Sequence, residues 1–217
     1  MSALSLSAGL GGPLLGLLLA AAPASASDAP ASGDTEAPRW SFGGEGSLYI
    51  LPDDTGYVVG RAHVNRGPLA LEARYNYEQL HAASVFLGWN FGFGEKLRLE
   101  LTPMVGGVFG GMSGVAPGLE LDLSFWKLAL SSESEYVFDL VEPSASFFYE
   151  WSELSLWPVE WARAGFAVQR TRVVQTRIQF QRGFLIGLAY RHLSVAAYWF
   201  NPGSEDAYGV FTLGVEL

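Results

Sequence analysis

The sequence has no cysteine among its 217 residues, which excludes disulfides, thiolate catalysis and cysteine-based metal sites. Charged residues are scarce, at 16%, whereas an ordinary soluble domain carries about 25%. Only 13 residues are basic against 22 acidic ones, for a net charge of −9. Nucleic-acid binding needs a basic patch, so no nucleic-acid partner is expected. Three scattered histidines, and glycine runs without a phosphate-loop lysine, predict neither a metal nor a cofactor.

Long hydrophobic runs are missing as well, since no segment has the ~20 uninterrupted apolar residues of a transmembrane helix. Hydrophobic residues nevertheless make up 49% of the chain, which contains 7 Trp, 9 Tyr, 14 Phe and 26 Gly. A membrane β-barrel combines these properties, because its apolar residues occupy every second position of each strand.

The N-terminal region has the pattern of an export signal. Residues 10–22 form a short apolar run, and Ala24-Ser25-Ala26 follows with the small-x-small spacing that signal peptidase reads. We therefore expect a cleaved signal peptide at 1–26, a flexible periplasmic leader at 27–38 and an outer-membrane barrel at 39–217.

From residue 40 onward the chain alternates with period two, as a strand in lipid must. In residues 69–78, for example, Leu69, Leu71, Ala73, Tyr75 and Tyr77 share the apolar face. The predicted strands lie near 40–51, 56–65, 69–78, 82–93, 96–106, 115–126, 128–138, 145–155, 161–170, 176–191, 194–200 and 207–217. The predicted fold class is thus all-β, an antiparallel transmembrane barrel with short turns and about twelve strands, with ten or fourteen as alternatives. Pro103 predicts a bulge, because proline lacks a ladder donor.

An even strand count places both chain ends in the periplasm. Aromatic residues then gather at two interfaces, as expected of a membrane barrel. The predicted interface aromatics are Trp40, Tyr75, Tyr77, Phe93, Trp126, Tyr136, Phe147, Tyr149, Tyr190 and Trp199.

The same alternation predicts which charges face the lumen. These are Arg61, Glu72, Arg74, Arg98, Glu100, Glu120, Asp122, Glu133, Glu135, Glu150, Arg163 and Arg177. In a wet pore such charges set ion selectivity, and the acidic excess predicts a preference for cations. In a narrow barrel the same groups pair into an interior salt-bridge core. The sequence leaves both interpretations open.

The C-terminal strand, in which Phe211, Leu213, Val215 and Leu217 alternate, resembles the last strand of bacterial outer-membrane proteins. This resemblance implies an outer-membrane location in a Gram-negative-type envelope, contact with outer-membrane lipid, and recognition by the barrel-assembly machinery. Small solutes or ions are the remaining expected partners. The favoured function is a non-enzymatic barrel, either a narrow porin-like channel or a structural membrane protein.

A second hypothesis is enzymatic. His192-Leu193-Ser194, followed by Asp206, resembles the catalytic tail of outer-membrane lipid A deacylases, although Val195 stands where that family has Asn. The resemblance implies a Ser194 nucleophile, a His192 base and an Asp206 carboxylate that orients the histidine. Outer-membrane phospholipase A is similar in size, and its His-x-Ser-Asn motif is incomplete here too. A third hypothesis is a soluble periplasmic binding barrel.

Overall fold

The computed structural model describes residues 39–52, 55–174 and 179–217. These residues form thirteen strands: β1 (Trp40–Ile50), β2 (Tyr57–Arg66), β3 (Leu69–Tyr75), β4 (Ala82–Trp89), β5 (Phe91–Phe93), β6 (Leu97–Gly110), β7 (Gly114–Phe125), β8 (Leu128–Asp139), β9 (Phe147–Val159), β10 (Ala162–Val173), β11 (Gln179–Tyr190), β12 (Leu193–Phe200) and β13 (Tyr208–Glu216). A short 3-10 turn, Pro143–Ala145, precedes β9. Within the described ranges, no helix has the length and apolar character needed to cross a membrane.

The strands form one closed antiparallel barrel. Each strand pairs with its sequence neighbours, except that β4 and β5 both pair with β6 and not with each other, and β1 pairs with β13 to close the ring. Two backbone hydrogen bonds fasten this seam, from the Phe42 amide to the Leu217 carbonyl (3.0 Å) and from the Leu217 amide to the Phe42 carbonyl (2.7 Å). Closure leaves no free sheet edge, which a barrel in lipid requires.

The barrel has twelve positions because β4 and β5 together fill one of them. Both pair with β6 in the same register, Gly88 opposite Met104 and Phe91 opposite Leu101. The ladder is interrupted beside Pro103, which has no N–H to donate. The twelve-strand prediction is confirmed, but the bulge predicted at Pro103 is wrong, because the unchanged register leaves no room for an extra residue.

Short connections lie at both ends of the barrel. The terminal end, where the β1–β13 seam finishes, has two-residue turns at 67–68, 126–127, 160–161 and 191–192. Gly67, Trp126 and Arg191 have φ values of 54–56°, and such left-handed residues match the twist of a tight hairpin. The opposite end, called here the loop end, carries somewhat longer loops, including 76–81 and 201–207.

The outer wall is apolar. Large hydrophobic side chains such as Leu48, Leu87, Val105, Leu154 and Phe211 are 44–55% exposed in the middle of their strands. A water-soluble protein rarely exposes a continuous apolar surface of this extent. The arrangement is that of a barrel surrounded by lipid, and the soluble-barrel hypothesis, which needs these side chains buried, is wrong.

Candidate functional site: the barrel interior

Most of the predicted interface aromatics lie on the outer wall. Six of them have more than half of their surface exposed: Trp40, Tyr75, Phe93, Trp126, Tyr190 and Trp199. Tyr136 is half-buried and contacts Phe138, with ring centres 4.5 Å apart.

Three aromatics of that set do not lie at a lipid interface. Tyr77 is fully buried, since β3 ends at Tyr75 and the left-handed residue Asn76 (φ 56°) turns the chain inward. Tyr149 is also buried, and Phe147 packs against the interior core. The predicted orientation of β9 is therefore wrong: Tyr149 and Trp151 stand opposite the inward residues Glu135 and Glu133 of β8, and directly opposed residues share a face.

The same correction applies to Glu150, which lies on the outward face of β9 rather than in the lumen. Its carboxylate pairs with Arg170 on the neighbouring strand. Arg177 lies outside the described residues. The other ten predicted lumen charges belong to the inward faces of their strands.

Arg74 occupies the centre of the interior, and its side chain is only 1% exposed. The guanidinium pairs with Glu72, with Glu133 (2.8 Å) and with Glu135 (3.1 Å). The rings of Tyr77 and Phe86 each lie 4.2 Å from it, measured to the ring centre. Ion pairs and cation–π contacts together compensate the loss of water around this buried charge.

Arg61 forms a second ionic cluster toward the terminal end. It pairs with Glu72, Glu120 and Glu133, the last at 3.4 Å. Glu72 and Glu133 contact both arginines, so the two clusters form one network across β2, β3, β7 and β8. Each guanidinium is shared among carboxyl groups, and the network contains four carboxyl groups but two guanidinium groups.

A third polar cluster lies beside this network, on β9, β10 and β12. Arg163 donates to Glu153 (2.9 Å) and to the Tyr198 hydroxyl (3.3 Å), while Tyr198 and Trp151 both donate to Glu153 (2.8 and 2.9 Å). Every member is almost fully buried. Each charge is paired and hydrogen-bonded, the condition under which a buried ion pair is tolerated.

Packed side chains close the lumen in its loop-end half. Each of the twelve barrel positions supplies an inward residue that is at most 4% exposed. This closing belt consists of Tyr49, Val59, Arg74, Ser84, Val108, Ala116, Glu135, Trp151, Ala167, Leu185, Tyr198 and Val210. Aromatic contacts tighten it: the Trp151 ring centre lies 5.1 Å from that of Phe200 and 5.5 Å from that of Tyr198. Water does not reach the side chains of the belt.

The β3–β4 loop adds to this closure from the loop end of the barrel. Tyr77 and Glu78 fold into the barrel, and Ser84 donates a 2.6 Å hydrogen bond to Glu78. Burial raises the pKa of the Glu78 carboxyl, while the nearby Arg74 guanidinium (3.9 Å) acts in the opposite direction. The fold therefore favours the protonated form of Glu78.

Below the belt, a vestibule of about 430 Å³ opens at the terminal end. Its lining residues include Arg61, His63, Glu72, Phe86, Asn90, Glu100, Met104, Glu120, Asp122 and Glu216. Arg98 pairs with Glu100, both side chains being 44% or more exposed, and His63 lies 3.2 Å from Glu216. The vestibule is polar and predominantly acidic.

Two inward carboxylates, Glu45 and Asp122, have no hydrogen-bond or ion-pair partner among the described residues. Glu45 stands opposite Arg61 in the β1–β2 ladder, and Asp122 stands opposite Glu100 in the β6–β7 ladder. Glu45 was not among the predicted lumen charges, although it has the opposite parity to the outward residues Phe42, Leu48 and Ile50 of β1. Glu153 was not predicted either, because the predicted orientation of β9 is inverted.

The residues of the hydrolase hypothesis do not come together. His192 lies in the β11–β12 turn at the terminal end, whereas Asp206 lies in the β12–β13 loop at the loop end. The eight residues of β12 separate them, which at ~3.3 Å per residue is about 26 Å. The Ser194 hydroxyl is buried without a partner. The resemblance to lipid A deacylases therefore does not extend to an assembled catalytic site.

Comparisons with known proteins identify relatives by fold alone. No protein-family model matches the sequence, and no curated protein is similar to it in sequence. Among solved structures, the KdgM porin superposes with a TM-score of 0.58 at 9% identity, over 80% of this chain and 97% of that one. A second structure, of the KdgM porin in complex with disordered oligogalacturonate, gives a TM-score of 0.54 at 8% identity, over 81% and 97%. The chain thus shares the fold of an outer-membrane porin.

Proposed function

We propose that this protein is a non-enzymatic, porin-like barrel of the outer membrane whose lumen is closed at rest. The observation that carries the proposal is the closing belt, in which all twelve barrel positions contribute an inward side chain that water does not reach. The apolar outer wall and the fold shared with the KdgM porin support the membrane location.

In this proposal the terminal end faces the periplasm and the loop end faces outward. Antiparallel barrels with an even number of strands have both chain ends on the periplasmic side. Residues 1–26 act as the export signal and 27–38 as a leader, and the barrel-assembly machinery recognises β13. The vestibule is then open to the periplasm, and the belt separates it from the outside.

Any solute that enters the vestibule meets an acidic wall. Among the described residues, its lining includes five carboxylate side chains, Glu72, Glu100, Glu120, Asp122 and Glu216, against a single arginine, Arg61. Charged linings of one sign attract ions of the other sign. The vestibule therefore favours cations, and an acidic saccharide such as the ligand of the KdgM complex is a poor match for it.

The test is single-channel recording in a planar bilayer with the refolded mature protein. Insertion is first established by the mobility difference between boiled and unboiled samples. We expect inserted wild-type barrels to add no regular conductance steps, because the belt excludes water. Reproducible steps from the wild type would contradict the closed state, and a chain that inserts into no bilayer would contradict the membrane location.

A further inference from the structure

Charged side chains are almost absent from the outward face of the barrel. In the described strands they are five: Arg66, Glu150, Arg170, Arg172 and Arg182. Arg66 lies near the terminal end, where its guanidinium covers the Trp40 ring at 5.0 Å. The other four lie together on β9, β10 and β11 near the loop end. Elsewhere on the outward face, no charged residue of the described strands lies near the loop end.

The register of these four residues places three arginines in one sector of the outward face. Arg170 pairs with Glu150, and its guanidinium lies 5.3 Å from the Phe148 ring centre. Arg172 is two residues further along the same face, and Arg182 is the diagonal neighbour of Arg170 across the β10–β11 ladder. Such neighbours are roughly 7–8 Å apart. Arg172 lies four residues along β10 from Val168, the partner of Arg182, which is about 13 Å along the strand. The three arginines therefore line one strip of the wall, where a large anionic headgroup can contact more than one of them.

The cluster is left with an excess of positive charge. Glu150 offsets only Arg170, and neither Arg172 nor Arg182 has a side-chain partner among the described residues. Both are exposed. Two guanidinium groups on an otherwise apolar wall therefore lack an anion, and the planar guanidinium is well suited to bidentate hydrogen bonding with phosphate oxygens.

The cluster also stands at the level where lipid headgroups lie. Arg172 is the second-last residue of β10, and the Arg182 carbonyl accepts a 2.8 Å hydrogen bond from Asn201 at the start of the β12–β13 loop. Phe184 lies two residues nearer the terminal end than Arg182 on β11, and Trp199 is its partner on β12. Both side chains point outward and are at least half exposed. Aromatic rings in this position mark a membrane–water interface.

We infer that Arg170, Arg172 and Arg182 form a lipid site that binds the phosphorylated headgroup of a glycolipid in the outer leaflet. The inference rests on the proposed outer-membrane location and orientation. It assigns a preferred lipid contact to the β10–β11 sector of the wall. Phe184, on the terminal-end side of Arg182, supplies an apolar surface for the acyl chains.

The test compares the wild type, Arg172→Gln/Arg182→Gln and the control Arg66→Gln in vesicles of phosphatidylcholine, with and without diphosphoryl lipid A. The readout is the temperature at which the folded, fast-migrating gel band disappears, together with the lipid A concentration that gives half of the shift. We expect lipid A to raise this temperature for the wild type and the control. The double variant should need on the order of tenfold more lipid A.

Three outcomes would overturn the lipid site: an equal response of the double variant, an equal loss in Arg66→Gln, or an equal shift when inorganic phosphate replaces lipid A. The double variant must insert into pure phosphatidylcholine like the wild type, and if it does not, the two single variants are compared in the same way. Failure of the wild type itself to insert would instead contradict the proposed membrane location.

Discussion

The guanidinium of Arg74 lies 4.2 Å from the ring centre of Tyr77, a residue that reaches it from the β3–β4 loop. This contact joins the ionic network of the interior to the loop that folds over it. Arg74 is therefore central both to the charge balance of the lumen and to its closure at the loop end.

Replacing Arg74 with methionine should strongly destabilise the barrel. The change leaves Glu72, Glu133 and Glu135 buried without their main counter-charge, and breaking a buried ion pair from one side costs about 3–5 kcal/mol. Urea unfolding of the inserted protein measures the loss. The control is Arg98→Met, whose side chain is 63% exposed, and which should cost at most about 1 kcal/mol. Equal losses in the two variants would contradict the central role of Arg74.

Removing aromatic volume from the interior should open the lumen. Tyr77→Ala/Trp151→Ala deletes two rings that are at most 1% exposed, and water should fill the space because polar groups line it. We expect conductance steps in a planar bilayer from this variant and none from the wild type. Trp199→Ala, on the outward face, is the matched control and should stay silent. A silent double variant that inserts normally would show that further side chains close the path.

In that opened variant, the carboxylates without partners should set ion selectivity. Water in the opened lumen favours the ionised form of carboxyl groups. Adding Glu45→Gln and Asp122→Asn then removes two carboxylates that form no ion pair with an arginine among the described residues, so the preference for cations should decrease. Reversal potentials in a salt gradient provide the measurement. Glu150→Gln, which changes an outward carboxylate, should leave the reversal potential unchanged. An anion preference before these changes are made would contradict the acidic-lumen proposal.

The stability of the loop-end closure should depend on pH through Glu78. Burial raises the pKa of this carboxyl above its ordinary value of 4.5. The stabilisation that protonated Glu78 provides is therefore fully present below about pH 4.5. It is lost as the pH rises through the raised pKa of this carboxyl in the folded state. Glu78→Gln should unfold with a weaker pH dependence than the wild type over that interval. The exposed loop residue Glu142, changed to Gln, is the control, and an unaltered dependence in Glu78→Gln would refute this role.

Ser194→Ala should leave the lipids of the membrane unchanged. The hydroxyl is buried without a partner, so its removal relieves an unsatisfied polar group and should not reduce stability. Lipid A and phospholipid acyl-chain profiles of membranes with wild-type or variant protein are compared by mass spectrometry. Loss of acyl chains that depends on Ser194 would revive the hydrolase hypothesis.

Sequence alternation was sufficient to predict the strand count and most of the inward charges, because most of the predicted strands carry their large apolar residues on one face. It failed where the lumen is filled. On β9 the inward residues Tyr149 and Trp151 are more apolar than the outward residues Glu150 and Ser152, so a rule based on a wet lumen inverts the strand. The prediction of Tyr77 as an interface residue failed for a local reason. The left-handed backbone of Asn76 ends β3 before Tyr77, and alternation alone does not show this.

The ionic network was beyond sequence analysis for a different reason. Alternation shows that Arg74 and Glu133 face inward, but their contact joins β3 to β8 across the lumen, and no local pattern encodes such a pairing. The burial of the closing belt likewise depends on how side chains from twelve positions fill the same space.

The seam between β1 and β13 also constrains how the barrel forms. Ser47 and Thr212, whose hydroxyls meet at 3.0 Å, are 165 residues apart in the chain. Until that pairing occurs, both strands present unpaired backbone groups that readily join a foreign strand. Ring closure over so long a separation is also slow. The nascent sheet is therefore vulnerable to aggregation for most of its assembly, and a chaperone or template that holds the two edges apart should govern the yield of folded protein.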